Sequence, residues 1–278
     1  MAGRAWRGIS LVIPAWNEAG AVGGVLRQAV GVLRRLGPEF EILVVDDGSS
    51  DATAMCVELH ALTEPRVRLI RHRRRLGYGA ALRSGFERAS YDLVAFTDGD
   101  GQFDLRDLPR LVEAAAQADI VCGYRAQRQD GRWRRFLSWG YNALVRWLFG
   151  LTVRDVDCAL KVFHRHCLAS ILPDSANFFV NTELLVRARL AGLRIVEMPV
   201  AHRPRRAGVS TVSLWDIPRT LAHLIPFWFR VRLGRVSRAA PASYSLFARV
   251  RLPSASPTDP HAAAASPRGS RSEVQTWP

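Results

Sequence analysis

Short apolar runs alternate with helical stretches over the first half of the 278-residue chain, and this alternation constrains the fold more than any other feature. The apolar runs predict strands at 9–14, 41–46, 67–71, 92–97 and 119–123. The stretches between them predict helices at 19–36, 52–62, 79–89 and 105–117. Strands that alternate with helices indicate an α/β domain with a mostly parallel central sheet and helices on both faces.

Polar residues collect at three of the predicted strand ends. Pro14, Asn17 and Glu18 follow the first strand, 46-DDGSSD-51 ends the second, and 98-DGDGQ-102 ends the fourth. Ligands of a parallel sheet bind at the carboxyl ends of its strands. These three segments are therefore the candidate site.

The segment after the fourth strand places Asp98 and Asp100 one glycine apart. Two carboxylates this close repel each other unless a cation lies between them. Mg²⁺ and Mn²⁺ take carboxylate oxygens together with substrate phosphate oxygens, and Gln102 offers one more oxygen. The alternative is a turn and a helix cap, in which Asp104 and Asp107 begin the next helix. For an isolated D-x-D pattern both interpretations are open.

The positive charge of the chain lies mostly in its second half. There are 39 lysines and arginines against 25 aspartates and glutamates, and Lys161 is the single lysine. Residues 125–154 carry a net charge of +6 and residues 201–238 one of +7, out of +14 for the whole chain. Arginine binds phosphate in bidentate fashion, so a phosphate-bearing partner is expected. Nucleic acid is not expected, because no nucleic-acid-binding motif accompanies the charge.

Both basic segments contain a tryptophan-bearing stretch with helical periodicity, at 131–151 and 214–233. Arginine beside tryptophan and leucine at this spacing is typical of a helix in the headgroup layer of a membrane, and the alternative is a helix that packs on the core. The apolar stripe predicted for the first comprises Trp133, Phe136, Leu137, Tyr141, Leu144, Trp147, Leu148 and Leu151, and the opposite face comprises Arg135, Ser138, Asn142 and Arg146. The stripe predicted for the second comprises Leu214, Ile217, Leu221, Leu224, Ile225 and Trp228.

The remaining composition sets the domain limits and the redox state. Residues 239–278 are rich in alanine, serine and proline and are predicted to be a disordered tail, which leaves residues 1–235 as the folded domain. No apolar run reaches the roughly 20 residues that a membrane span requires.

The cysteines show no zinc-ligand spacing and are expected to be reduced thiols in a cytosolic protein; they are Cys56, Cys122, Cys158 and Cys167.

Four motifs occur in order along the first half of the chain, each next to a predicted strand or helix. They are P-x-W-N-E at 14–18, D-D-G-S-x-D at 46–51, G-Y-G-x-A-L-x-x-G at 77–85 and D-G-D-G-Q at 98–102. This combination resembles glycosyltransferase family 2. The resemblance covers about residues 8–235 and implies the GT-A fold of nucleotide-diphospho-sugar transferases.

Segments of the second half resemble one branch of that family, the polyprenyl-phosphate transferases, which includes dolichol-phosphate mannose synthase and bacterial undecaprenyl-phosphate sugar transferases. The segments are 123-GYR-125, 155-DVDCALKVF-163, 178-FFVNTELL-185, 197-EMPV-200 and 205-RRAGVS-210. The basic helices at 131–151 and 214–233 are then expected to be C-terminal amphipathic helices at the membrane interface.

The resemblance implies a role for each matching residue. The nucleotide-sugar-binding residues would be Pro14, Asn17, Glu18, Asp46, Asp47 and Asp98. The metal ligands, for Mg²⁺ or Mn²⁺, would be Asp98, Asp100 and Gln102. The residues that bind the lipid phosphate would be Arg125, Arg134, Arg135, Arg205 and Ser210. The catalytic residues would be Asp98, Asp100, Arg125 and Arg134.

The expected reaction is an inverting, metal-dependent transfer of a hexose, mannose or glucose, from GDP-mannose or UDP-glucose to polyprenyl phosphate. A lipid monophosphate, with a second pKa of about 6, is largely ionised at neutral pH and needs no general base. The protein is expected to be cytoplasmic and peripheral on the inner face of the cell membrane. The sequence leaves open whether a separate membrane protein is its partner.

Two alternatives remain open. The first is transfer to a hydroxyl of a glycan or soluble acceptor, which needs a catalytic carboxylate near the sugar, with Asp157 and Glu183 as candidates. The second is a non-catalytic, membrane-recruited module that binds nucleotide sugar or anionic lipid. Activity on a soluble acceptor would favour the first, and nucleotide-sugar binding without turnover would favour the second.

Overall fold

A computed structural model describes residues 6–37, 39–126, 132–204 and 216–236, without the side chains of 132–136 and 216–219. The strands are β1 (Ile9–Ala15), β2 (Phe40–Asp46), β3 (Val67–Arg71), β4 (Leu93–Phe96), β5 (Ile120–Arg125), β6 (Lys161–His164) and β7 (Ile195–Val200). The α-helices are α1 (Val22–Leu36), α2 (Thr53–Thr63), α3 (Tyr78–Arg88), α4 (Leu108–Ala114), α5 (Arg132–Phe149), α6 (Arg165–Ile171), α7 (Val180–Leu190) and α8 (Asp216–Arg232).

The described strands form one sheet in the order β3-β2-β1-β4-β6-β5-β7. The pairs among β1, β2, β3 and β4 are parallel, as is β5 with β7, whereas β6 runs antiparallel to both β4 and β5. The carboxyl ends of β1, β2 and β4 therefore meet at one edge of the sheet. The three polar segments of the sequence lie at that edge.

The five predicted strands and the predicted helices between them are confirmed, with ends that shift by a few residues. The largest difference is the helix predicted at 105–117. It consists of a 3-10 turn at Leu105–Asp107, helix α4, and a second 3-10 turn at Ala115–Gln117. The sequence analysis did not predict β6, α6, α7 and β7. At four residues, β6 is too short for its alternation to be distinguished from a loop.

The core lies between the sheet and the helices on its two faces. Every residue of β1, β2 and β4 is buried, as expected for strands covered on both sides. Helix α1 packs on the sheet with residues at helical spacing, namely Val22, Val25, Leu26, Ala29, Val32 and Leu33.

Helix α5 packs on the core with part of the predicted apolar stripe, namely Tyr141, Leu144 and Leu148. Its buried residues are Asn142, Val145 and Phe149, whereas Trp147 is 80% exposed and Trp139 63% exposed. The prediction placed Asn142 on the face opposite the apolar stripe, and this placement is wrong because Asn142 is buried. The physical reason is that the Asn142 amide is needed inside: its Nδ2 donates to Ser138 O (2.8 Å) and its Oδ1 accepts from Val156 N (3.0 Å).

Helix α8 also leaves apolar side chains in solvent. Leu224 and Phe227 are buried, and Ile225, Phe229 and Leu233 form an exposed row at a spacing of four residues. Ile225 was predicted on one apolar stripe together with Leu224, and the structure buries Leu224 and exposes Ile225. None of the described helices has the length and hydropathy that crossing a bilayer requires.

Replacing Gly85 tests the contact between α3 and β1. A Cβ at Gly85 would overlap the Val12 side chain, whereas a Cβ at the exposed Gly31 of α1 meets no atom within 4 Å. We expect Gly85→Ala to lower the free energy of unfolding by about 1–3 kcal/mol. The control Gly31→Ala should raise it by up to about 1 kcal/mol, because alanine favours the helix. Urea unfolding measures both, and an unchanged midpoint for Gly85→Ala would contradict the packing.

Candidate functional site

The loops after β1 and β2 are tied to each other by side-chain hydrogen bonds. Asn17, which has a φ of 54°, accepts at Oδ1 from Ser50 N (2.9 Å) and donates its own N–H to Ser49 Oγ (2.9 Å). Glu18 N donates to Thr53 Oγ1 (2.8 Å). The motifs at 14–18 and 46–51 thus form one rigid wall of the site.

Asp46 is a buried carboxylate with an incomplete set of partners. Its Oδ1 accepts from Ser49 N (3.0 Å). Its Oδ2 lies 3.3 Å from Arg71 Nε, but it has no hydrogen-bond partner among the described residues. A buried oxygen that accepts no hydrogen bond costs free energy. A ligand that donates a hydrogen bond to Asp46 Oδ2 would remove this cost.

Asp47 has a complete set of partners within the protein. Its Oδ1 accepts from His72 Nδ1 and from Leu76 N, and its Oδ2 accepts from Gly77 N, each at 2.8 Å. The carboxylate therefore holds the loop between β3 and α3 in place. The structure gives Asp47 this positioning role, and the direct nucleotide contact implied by the family resemblance stays a prediction.

The three predicted metal ligands lie together after β4. Asp98 Oδ1 accepts from the Tyr78 hydroxyl (2.8 Å), and Asp100 Oδ1 accepts from Gln102 N (3.0 Å). Gln102 Nε2 donates to Arg203 O (3.2 Å), so its amide has a defined orientation. Two carboxylates and an amide oxygen are the donor set of a hard divalent cation, so these residues fit Mg²⁺ or Mn²⁺.

The charge state of Asp98 supports the same fit. Burial and the neighbouring Asp100 raise the pKa of Asp98 to about 7, while the Tyr78 hydrogen bond and the cations Lys161 and Arg125 act in the opposite direction. A like-charged pair takes up a proton when no other cation is present. A metal ion would replace that proton.

Close backbone contacts place this pair beside the first strand. A Cβ at Gly99 would lie 3.1 Å from Pro14 O, so the absence of a side chain lets the β4 end approach the β1 end. Gly77 has a φ of 108°, and a Cβ there would overlap Ala176 O. The G-Y-G motif is thus packed against the loop before α7.

Tyr78 belongs to the site although the sequence analysis did not single it out. Besides its hydrogen bond to Asp98, its ring stacks on Phe178 at a centroid distance of 4.9 Å. The available signal was its position between the two glycines of the G-Y-G motif. Glycines on both sides let the backbone pass close to other groups of the site, so the polar aromatic residue between them is a candidate site residue.

The basic side of the site contains a half-buried cation, Arg125, and a buried one, Lys161. Arg125 forms a bidentate ion pair with Asp155, with Nε to Oδ2 and Nη2 to Oδ1 both at 2.7 Å. This partner raises the pKa of Arg125 further above its usual range, against the effect of burial. Arg125 therefore has only its remaining N–H groups for a phosphate.

Lys161 is fully buried and was also missed by the sequence analysis. Its Nζ donates to Val156 O (3.0 Å), to Cys158 O and to Asn181 Oδ1 (3.4 Å). Register pairs it with Phe96, the last residue of β4. The single lysine thus places a positive charge beneath the Asp98 end of the sheet. That it is the only lysine among the basic residues was a signal in the sequence.

The other predicted residues are placed only in part. Arg134 and Arg135 belong to α5, but their side chains are not described, and Arg205 and Ser210 lie outside the described residues. Their contact with a lipid phosphate stays a prediction.

The two carboxylates considered for a hydroxyl acceptor have different surroundings. Glu183 is 1% exposed and accepts from Asp174 N (3.1 Å), from Ser175 N (2.9 Å) and from Arg187 Nε (2.9 Å). Asp157 is half-buried and lies close enough to raise the pKa of Tyr141, which burial already raises. The Glu183 carboxylate thus holds the loop before α7 in place.

Comparison with known families decides the relationship of the chain. The model of the family described as "Glycosyl transferase family 2" matches residues 10–176. The chain belongs to glycosyl transferase family 2. The predicted family and the predicted enzyme class, a glycosyltransferase, are both confirmed by this membership.

Curated relatives share most of the chain. The undecaprenyl-phosphate 4-deoxy-4-formamido-L-arabinose transferase of Pectobacterium carotovorum subsp. carotovorum strain PC1 is 32% identical over 221 residues, which are 79% of this chain and 67% of the relative. The protein of the same name from Pseudomonas aeruginosa strain LESB58 is 35% identical over 219 residues, 78% of this chain and 64% of the relative. The chain therefore spans about two thirds of the length of these relatives.

A solved structure supports the fold. Glucosyl-3-phosphoglycerate synthase from Mycobacterium tuberculosis, in complex with Mn²⁺, UDP and glucosyl-3-phosphoglycerate, superposes with a TM-score of 0.63. It is 24% identical and covers 82% of this chain and 80% of its own. The predicted α/β, GT-A-like fold with a mostly parallel sheet is confirmed.

Metal affinity should depend on pH because a metal ion and a proton compete for Asp98. We expect the dissociation constant for Mn²⁺ to rise about tenfold per pH unit below pH 7 and to level off above it. Calorimetric titration between about pH 5.5 and about pH 8.5 measures this dependence. In Tyr78→Phe the midpoint should move to higher pH, because the Tyr78 hydrogen bond lowers the pKa of Asp98 and its removal raises that pKa. An affinity that does not change with pH would contradict this account.

Proposed function

We propose that the chain catalyses transfer of a sugar from a nucleoside diphosphate to undecaprenyl phosphate or a similar polyprenyl phosphate, with inversion at the anomeric carbon. The observation that carries the proposal is the similarity, over more than three quarters of the chain, to relatives named for transfer to undecaprenyl phosphate. The family membership supplies the reaction class, and these relatives supply the acceptor.

The surroundings of the carboxylates favour a phosphate acceptor over a hydroxyl acceptor. A hydroxyl needs a general base, whereas a phosphate monoester is largely ionised at neutral pH and attacks directly. Glu183, one of two candidates for the base, already accepts hydrogen bonds from two backbone N–H groups and Arg187. Asp157 remains the candidate for the alternative.

On the donor side, the proposal assigns the wall of the site formed by the first two strand ends to the nucleoside. Asp46 has one buried oxygen without a hydrogen-bond donor, which a ribose or base donor group would complete. Pro14, Asn17 and Glu18 lie on the same wall, and Asp47 holds the adjoining loop. A sugar between this wall and the carboxylate pair would lie with its diphosphate at Asp98.

The proposal assigns Mg²⁺ or Mn²⁺ to Asp98, Asp100 and Gln102. When bound, the ion would neutralise negative charge on the departing nucleoside diphosphate. The chain itself positions the reacting groups: Tyr78 orients Asp98, and Gln102 N–H orients Asp100. As the phosphate oxygen bonds to the anomeric carbon, the bond to the diphosphate breaks.

On the acceptor side, the proposal assigns the lipid phosphate to arginines around the start of α5. Arg125 is held by Asp155 and retains N–H groups on Nη1 for a phosphate. Arg134, Arg135, Arg205 and Ser210 complete this proposed set. Positioning of two anions by fixed cations is the main requirement of such a displacement.

The names of the relatives change the order in which donor sugars are tested. The names of the relatives concern 4-deoxy-4-formamido-L-arabinose, a pentose derivative, and not the mannose or glucose predicted from the sequence. We therefore put a uridine diphosphate pentose of this type first among the donors to be tested, with UDP-glucose and GDP-mannose after it.

The proposal places the protein at the inner surface of the membrane through α5 and α8. Trp139 and Trp147 on α5 and the row Ile225, Phe229 and Leu233 on α8 are exposed apolar side chains. Arg230 and Arg232 flank the row on α8 and can pair with anionic headgroups. An interfacial helix combines these two features.

Loss of a metal ligand should remove the transfer reaction. Mutation of a residue that only supports a metal ligand typically lowers activity roughly 10–100-fold. Because Asp100 is proposed to bind the metal directly, we expect Asp100→Ala to lower the transfer rate by more than this. The assay follows label from the nucleotide sugar into the lipid phase with Mg²⁺ or Mn²⁺, and the matched control is Glu58→Ala, an exposed carboxylate on α2. Wild-type transfer by Asp100→Ala would refute the ligand assignment.

The same assay distinguishes the acceptors. Label in a soluble glycan with none in undecaprenyl phosphate would replace the proposal by the hydroxyl alternative. Binding of donor without transfer to any acceptor would favour the non-catalytic module.

Membrane binding should depend on the apolar row of α8. We expect Phe229→Ser to weaken binding to anionic vesicles about tenfold or more, because burial of a phenylalanine side chain contributes roughly 1.5–3 kcal/mol. The control is Leu62→Ser on α2, which removes an apolar side chain that is 80% exposed. Vesicle co-sedimentation measures both variants. An equal loss in both, or none in Phe229→Ser, would count against the proposed membrane face.

A further inference from the structure

A cluster of three different metal-binding side chains lies far from the carboxylate pair. Asp119 immediately precedes β5, and His166 and Cys167 lie in the first turn of α6. One ligand atom from each lies within 4.8 Å of the others. Because β5 runs in the same direction as β4, the start of β5 is at the opposite edge of the sheet from Asp98.

The distances within the cluster suit a tetrahedral centre. Cys167 Sγ is 3.1 Å from His166 Nε2 and 3.8 Å from Asp119 Oδ1. With Zn–S near 2.3 Å and Zn–N or Zn–O near 2.0–2.1 Å, neighbouring ligand atoms of a tetrahedral zinc site are about 3.5 Å apart. The two observed distances lie on either side of that value, and the third pair of ligand atoms, from Asp119 and His166, lies within 4.8 Å.

Asp119 is held in place by hydrogen bonds that leave Oδ1 directed at the thiol. Its backbone N donates to Arg194 O (3.0 Å), and its backbone O accepts from His164 N (3.1 Å). Its other carboxylate oxygen, Oδ2, accepts from Arg194 N (2.7 Å). Support of this kind for a ligating carboxylate is typical of metal sites.

The cluster also has access to solvent and a second imidazole nearby. His166 is exposed, Asp119 is half-buried and Cys167 is buried, so an ion can enter from the His166 side. The ring of His164 lies 5.5 Å from that of His166. His164 Nε2 is 2.8 Å from Ala115 O, which fixes the orientation of this second ring.

We propose that Asp119, His166 and Cys167 bind one transition-metal dication of the zinc class, with a water molecule in the fourth position. Binding replaces the proton of the Cys167 thiol, which is released to solvent, by a bond from sulfur to the metal. Sulfur, imidazole nitrogen and carboxylate oxygen together favour Zn²⁺ or Co²⁺ over Mg²⁺. The ion would join the start of β5 to the start of α6. This site is independent of the proposed sugar transfer.

Co²⁺ titration of the full chain tests this site, because a cobalt–thiolate bond gives a charge-transfer band and tetrahedral Co²⁺ gives strong visible absorption. The titration is made in the Asp100→Ala background, so that the predicted metal site after β4 does not contribute. We expect one Co²⁺ per chain with both signals, displaced by one equivalent of Zn²⁺. Absence of the thiolate band in this chain would overturn the proposal.

Two variants locate the signal. His166→Ala alters an exposed side chain, so it should fold with the metal-free melting temperature of its parent, yet lose the tetrahedral spectrum and the rise in melting temperature that Zn²⁺ produces. Cys167→Ser should lose the charge-transfer band, whereas the control Cys56→Ser, which removes a partly buried thiol elsewhere, should keep it. Retention of the full spectrum by His166→Ala, or its loss in Cys56→Ser, would refute the assignment.

Discussion

Repulsion between Asp98 and Asp100 is the interaction on which the rest of the site depends. Burial and this repulsion raise the pKa of Asp98 to about 7, and Tyr78 and the cations Lys161 and Arg125 oppose the rise. Lys161 donates hydrogen bonds to backbone carbonyl groups, and Arg125 forms an ion pair with Asp155. Neither cation therefore forms an ion pair with Asp98 or Asp100. A divalent ion between the two carboxylates would neutralise their charge, and the proposed chemistry uses the same ion for the leaving diphosphate.

Acidic residues that look equivalent in the sequence have different roles in the structure. Asp46 has a buried oxygen with no hydrogen-bond donor among the described residues, while Asp47 accepts three hydrogen bonds that hold a loop. Glu183, a candidate base in the sequence, is likewise used to hold the loop before α7. A motif therefore predicts where a site lies better than it predicts which of its carboxylates contacts a ligand.

Helix α5 shows a second limit of sequence patterns. Periodicity predicted its extent to within two residues and placed Trp147 on one stripe with Tyr141, Leu144 and Leu148, yet these three pack against the core and Trp147 is exposed. Apolar periodicity identifies residues that share a face but does not identify what the face contacts. Asn142 faces inward because its amide satisfies the backbone N–H of Val156, a contact that no local pattern contains.

The sequence by itself determined the parallel half of the sheet, the position of the acidic segments at strand ends, and the family. It could do so because apolar runs, turns and contiguous motifs act over a few residues. The tertiary structure alone decided that β6 runs antiparallel and brings Lys161 under Asp98, that Arg125 pairs with Asp155, and that Asp119 meets Cys167. Hydrogen bonds and ion pairs act over about 3 Å. Which distant residues come that close is therefore set by the chain path and not by local sequence.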